Sequence, residues 1–327
     1  MANNMNIDIP SHNIILFHIG GTGGYGPIDA VLRLFPSQCI VFTFEARESE
    51  VGTDVREYYC NGIKTFSVNA CVASEECERD FYVNKHAESS SLFPPSKQAL
   101  DEHILPYIVP NSGVITWQEN TVLDYIVKVK VTTLASFINK YQVIPDVLSI
   151  DAQGAELEIM AGMGNHIKYT NTIVSEVEFF EIYAGQGLFH EQVSFLSKYG
   201  IRLAELLNPQ TWSPGPEFGK GFLTVAEALW FKNIDDFFTI NKYRDDIIIQ
   251  GIKLAAVGYA FDRFSYTYVL MKRLMDMDKE LVNMLCAQHG YGKLLPLVDM
   301  IDDNLDNYKQ DNFFFVNKYV QEAGIWT

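Results

Sequence analysis

The sequence predicts an α/β protein, in which an open, mostly parallel sheet ends in an antiparallel strand and a helical extension follows. Three observations carry that prediction. Residues 146–160 (DVLSIDAQGAELEIM) pass from the apolar run Val147-Leu148-Ser149-Ile150 to helical spacing, and the acid Asp151 stands at the change. Residues 14–19 form a second apolar run that enters a glycine-rich turn and then a helical pattern. From Asp235 onward, apolar residues recur at three-to-four spacing, which strands do not show.

In order along the chain, Ile14-Ile15-Leu16-Phe17-His18-Ile19 reads as the first strand. Gly20, Gly21, Thr22, Gly23 and Gly24 follow, and Pro27 opens a helix, where its missing N–H is not needed. Glycines suit a tight turn whose N–H groups must approach a ligand. The next strand, residues 39–44, ends in Glu45, a carboxylate able to accept hydrogen bonds from both hydroxyls of a ribose. These two signals describe a nucleoside-containing cofactor. Gly21, Gly23 and Gly26 also fit the dinucleotide spacing, so a nicotinamide cofactor stays open. His18 reads as a hydrogen-bonded core or pocket-edge residue.

Residues 65–73 are the third strand candidate, with Asn69 placed either to reach an adenine edge or to close a turn. Residues 81–95 (FYVNKHAESSSLFPP) break the βα rhythm and read as a strand and loop over the ligand edge of the sheet, their serines serving turn chemistry. The central run at 147–150 opens toward a crevice beyond the carboxyl ends of the strands, so Asp151 and Gln153 face a site. Asp151 also suits the N-cap of a helix running to Gly164, and the two roles are compatible. Residues 172–179 form a strand with Glu176 and Glu178 on one face at its carboxyl end, so at least one of them should approach the pocket. A glycine-flanked loop at 181–187 leads into a helix at 188–199, a strand at 201–207, a long loop at 208–221 and a last strand at 222–231. The division expected is residues 1–233 for the sheet domain and 234–327 for the helical extension. Methionines Met271, Met275, Met277 and Met284 read mainly as core.

Composition excludes several classes. With 48 % hydrophobic residues the chain buries a large core, and a formal charge of −16 argues against nucleic acid and anionic membrane surfaces. Five cysteines in no metal-ligand pattern point to reduced thiols, and scattered histidines to no metal site. The start, MANNMNIDIP, has no secretory signal pattern, and no apolar run has membrane-spanning length, so a cytoplasmic location without membrane insertion is expected.

Taken together, Leu148-Ser149-Ile150-Asp151-Ala152-Gln153-Gly154-Ala155-Glu156, Thr133-Leu134, Glu176-Val177-Glu178, residues 183–189, Gly200-Ile201-Arg202-Leu203 and Phe44-Glu45-Ala46 resemble the FkbM-type family of S-adenosylmethionine-dependent methyltransferases. The resemblance covers residues 14–231. It departs where the family has an acid, at His18 and Ala135. It implies a Rossmann-like class I methyltransferase sheet and S-adenosylmethionine as cofactor, with Gly20 to Gly24, Glu45, Asn69, Asp151 and Gln153 as its contacts. It implies O-methylation of a hydroxyl on a sugar, glycan or secondary metabolite. Asp151 is the first candidate for the base that removes the acceptor's proton, and His190 the second by its intrinsic pKa. Tyr183 and Gln186 would orient the acceptor. Two alternatives stay open: a nicotinamide-dependent oxidoreductase, although no Tyr-x-x-x-Lys or paired His–Asp element is placed for hydride chemistry, and a binding module without catalysis.

Overall fold

The computed structural model describes residues 7, 9–20, 24–45, 55–97, 99, 106–109, 113–212 and 221–308. The chain divides into two compact units, Met1–Ile247 and Ile248–Thr327. In the first, the elements run β1 (Ile14–Gly20), α1 (Asp29–Leu34), β2 (Cys39–Glu45), β3 (Val55–Cys60), β4 (Ile63–Asn69) and β5 (Cys71–Val72). Then come β6 (Cys77–Asn84), β7 (Pro106–Val109), β8 (Gly113–Thr116), α2 (Trp117–Asn120), β9 (Leu123–Thr132) and α3 (Leu134–Tyr141). They are followed by β10 (Val147–Asp151), α4 (Glu156–Ala161), β11 (Thr172–Glu178), α5 (Phe189–Ser197), β12 (Ile201–Trp212), β13 (Phe222–Lys232) and α6 (Ile234–Ile240).

The result is a mixed α/β fold around an eight-stranded sheet in the order β12-β13-β11-β10-β1-β2-β4-β3. The inner strands β11, β10, β1, β2 and β4 are parallel, while β13 is antiparallel to both neighbours, as expected for the last strand. β1 and β10 sit at the centre because their residues are apolar on both faces, which suits a strand covered on both sides. On one face, the rings of Phe17, Phe42 and Phe44 meet Phe137 of α3 at centroid distances of 5.6, 5.8 and 4.9 Å. Thr133 caps α3 by accepting from Ser136 N–H at 3.1 Å, and Gln142 ends it in the left-handed region at φ 57°.

Three departures from the sequence reading have physical causes. Residues 65–73 belong to two sheets, since β4 ends at Asn69 and β5 joins β9 and β6 in a separate three-stranded sheet. β3 pairs with β4 as an antiparallel hairpin about Asn61 and Gly62, both at positive φ. β12 runs on to Trp212 through Pro209, which an edge strand with register shifts tolerates because no partner needs its N–H.

The second unit carries α7 (Ile247–Ala260), most of which lies within it, with α8 (Phe264–Gln288) and α9 (Leu294–Tyr308). α7 packs closely on α8 where it has no side chain: a Cβ on Gly251 would stand 2.6 Å from Leu274. Met271 is buried in α8, whereas Met277 and Met284 are exposed. Among the described residues no helix is long and apolar enough to cross a membrane.

Candidate functional site

The site is set by register across the centre of the sheet. At the carboxyl end of β1, Gly20 pairs with Asp151, and one pair earlier on the same face His18 pairs with Ser149. Across β11 and β13, Glu176 pairs with Glu227. Since residues two apart share a face, Asp151, Glu176 and Glu227 form one row of carboxyls, with Ser149 and Val174 in the row below. A cavity of about 240 Å³ opens on this face, walled by His18, Tyr25, Ser149, Asp151, Glu176 and Glu227 among others. Among the described residues no lysine or arginine lines it.

Gly20 shows why the first glycine is needed. Its φ is +77°, and a Cβ there would stand 1.8 Å from the carbonyl oxygen of Asp151. β1 can therefore turn away only over a residue with no side chain. Gly24, at φ +124°, borders open space. Gly21, Thr22 and Gly23 lie outside the described residues.

Asp151 ends β10, but it does not cap α4. That helix begins at Glu156, behind an Ala155 that makes no side-chain cap. The chain between them turns through Gln153 at φ 52° and Gly154 at φ 96°, which leaves Asp151 too far from the helix to cap it. Glu156 holds this turn instead: its buried carboxyl accepts from Ala152 N–H at 2.8 Å. Ser91 donates to the carbonyl of Gln153 at 2.6 Å, so the serine-rich loop does lie over this edge and serves as a turn fastener. Gln153 in turn donates from Nε2 to Asp151 Oδ1 at 2.7 Å, with Glu176 Oε2 at 3.5 Å.

Other predicted residues fall at varying distance from the cavity. Glu45 and Asn69 are register partners at the ends of β2 and β4, beside β1. Tyr183 is fully buried, and its hydroxyl shares its one proton between Gln153 Oε1 at 2.9 Å and Ser89 O at 3.0 Å rather than lining the cavity. Gln186 is likewise buried and accepts from Ile182 N–H at 2.9 Å, an internal loop contact. His190 is exposed in the first turn of α5 and is not a wall of the cavity. Ala135 stands in the first turn of α3, also away from it. His18 is buried, 3.1 Å from Ser149 Oγ and edge-on to the ring of Tyr25. Among the described residues no three His, Cys, Asp or Glu side chains are placed to hold a metal ion.

Sequence reasoning missed Glu227 and left Glu156 without a role, whereas of Glu176 and Glu178, at least one of which was expected to approach the pocket, Glu176 does line it. Glu227 is a lone acid within the apolar run of β13, and that contrast was the available signal. Asn208 donates to it at 2.9 Å. α5 supports Glu176 from the other face, where Gln192 donates to its backbone carbonyl at 3.0 Å and accepts from Ser175 Oγ at 2.9 Å.

The electrostatics follow from crowding acids in a poorly solvated place. Burial first, then the charges of Asp151, Glu178, Glu156 and Glu227, push the Glu176 carboxyl well above the usual range. Glu178 rises in the same way, from burial and from Glu156 and Asp151. Burial lifts Glu156 to about 7, an effect tempered by the backbone N–H groups of its own turn. Glu227 is raised by burial and by Asp151, while Asn208 opposes the shift. Such a cavity accepts hydrogen bonds and positive charge, and its carboxyls hold protons more tightly than ordinary ones.

The cavity thus lies beyond a glycine turn at the carboxyl ends of parallel strands, next to a β2 that ends in an acid. Residues 18–203, more than half of the 327, match the family model for the methyltransferase FkbM domain. No curated protein and no solved structure matches the chain. The matched span contains β1, the Asp151 turn, β11 and α5, and on that ground the chain belongs to the FkbM methyltransferase family.

Proposed function

We propose that this protein is an S-adenosylmethionine-dependent O-methyltransferase with a Rossmann-like class I sheet, acting on a hydroxyl of a sugar, glycan or secondary metabolite that is not anionic. The observation that carries this reading is the row of Asp151, Glu176 and Glu227 facing a cavity to which the described residues contribute no basic wall. The donor set fits the cofactor, whose sulfonium and ammonium groups are both cationic. Glu45 and Asn69 would hold the nucleoside, Gly20 to Gly24 the amino-acid part, and Asp151 with Gln153 the border with the acceptor. When bound, S-adenosylmethionine supplies an activated methyl group.

The chain's own task is then to orient the acceptor and to receive its proton. Holding the hydroxyl in line supplies most of the acceleration. As the new C–O bond forms and the old C–S bond breaks, the hydroxyl proton must leave. Asp151, at the rim, is the proposed base, and Glu176 beside it, held above the usual carboxylate range by burial and by its acid neighbours, is the group that would share the proton. The methyl ether and the neutral thioether are the products. His190 is reserved as the second candidate base.

Calorimetric titration with S-adenosylhomocysteine and, separately, with NADH tests the cofactor. Micromolar binding of S-adenosylhomocysteine alone is expected, weakened roughly 10-fold or more by Glu45→Ala, the worth of a charged hydrogen bond. Binding of NADH instead would favour the oxidoreductase. Binding of neither would leave a module without this chemistry.

A further inference from the structure

Tyr183 stands at the centre of a hydrogen-bonded chain that reaches the cavity without its own side chain entering it. Its ring is fully buried, with Trp117 edge-on at 5.3 Å. Its backbone N–H and that of Ile182 both donate to Gln186 Oε1. Gly154 leaves the room it needs, since a Cβ there would come within 3.2 Å of the tyrosine. So placed, the hydroxyl shares its one proton between Gln153 Oε1 at 2.9 Å and the Ser89 carbonyl at 3.0 Å, and an amide whose oxygen is engaged there presents its nitrogen the opposite way. That nitrogen donates to Asp151 Oδ1 at 2.7 Å and faces Glu176 Oε2 at 3.5 Å.

We propose that Tyr183 is a positioning residue: by fixing which end of the Gln153 amide faces Asp151 and Glu176, two walls of the cavity, it keeps a hydrogen-bond donor aimed at their carboxylates. The backbone of Gln153 is pinned independently by Ser91, so the amide end is the freedom that remains. A donor there favours the ionised carboxylate, whereas a flipped amide would present an oxygen and favour the protonated acid. The groups that face Glu176 are Asp151, Glu178, Glu156 and Glu227, all acids, so in this set Gln153 is the neutral donor that opposes their mutual repulsion. The consequence for catalysis, a proton acceptor kept ionised, rests on the methyl-transfer reading of the cavity; the hydrogen-bond relation does not.

The test is a carboxyl carbon-13 NMR titration of glutamate-labelled protein, with the Glu176 signal assigned by Glu176→Gln. It uses neither cofactor nor acceptor, so it succeeds or fails apart from the methyltransferase reading. Tyr183→Phe keeps the ring and removes the hydroxyl, and it should move the Glu176 titration upward in pH. Gln153→Met, at a half-buried position, removes the amide and should shift it the same way. In the double variant Tyr183→Phe should add nothing beyond Gln153→Met, since its effect passes through that amide. An unchanged titration in either single variant, or a full Tyr183→Phe shift persisting beside Gln153→Met, overturns the proposal. If Tyr183→Phe does not fold, the Gln153→Met shift decides alone.

Discussion

The residue on which the site most directly depends is Gly20. Its φ of +77° costs any other residue backbone strain, and the approach of its missing Cβ to the Asp151 carbonyl at 1.8 Å leaves a side chain no room without moving β1 from β10. Gly20→Ala should therefore lower stability by about 2 kcal/mol or more in denaturant unfolding. A loss below about 0.5 kcal/mol would mean that the turn after β1 rearranges freely. At this scale the sequence was informative about types and less so about roles. The stretch from Asp151 to Glu156 could be read as a motif, but its last acid proves to fold back onto Ala152 N–H, a contact that depends on the left-handed backbone at Gln153. Glutamine seldom adopts that conformation, so nothing in its type announced it.

Among the elements, α3 joins the parts of the sheet nearest the site. Phe137 receives the rings of Phe17, Phe42 and Phe44 from β1 and β2, while Tyr141 lies 4.6 Å away on its own helix. Replacing it by alanine removes these contacts and leaves a cavity in a core that cannot collapse around strands already paired. Phe137→Ala should cost about 3–5 kcal/mol, read as a lower denaturant midpoint. A cost below about 1 kcal/mol would show that α3 is not what braces β1 and β2. The strands that Phe137 meets were readable because burial on both faces makes them continuous apolar runs. β3 was not, since its residues are mostly exposed and carry Arg56, Glu57, Tyr58 and Tyr59, although Asn61-Gly62 was a usable hairpin signal. Glu227 was hidden for a different reason. It meets Glu176 only because β13 inserts between β12 and β11, and strand order is a property of the assembled sheet rather than of any local window.

For the molecule as a whole, the acids of the site bear on pH and stability. Glu156, Glu176 and Glu178 are all held above the ordinary carboxylate range, so the folded chain binds more protons than the unfolded one between that range and about 7, the value reached by Glu156. Their contribution to stability is fully present below the unfolded carboxylate range and is lost as pH rises through the folded values. The repulsion of a net charge of −16 also disfavours the compact state. Salt separates the two, because exposed charges are screened at 0.5 M and buried ones far less. The melting temperature should fall from pH 6 to pH 8, and the fall should persist in 0.5 M salt. Glu178→Gln, which replaces a fully buried acid by a neutral group of the same shape, should flatten it and raise stability at pH 8. If salt abolished the fall, or Glu178→Gln left its slope unchanged, the buried acids would not be its cause. A positive result would also bear on the site, since the crowding of acids beside the cavity would then be a burden that the fold carries at neutral pH.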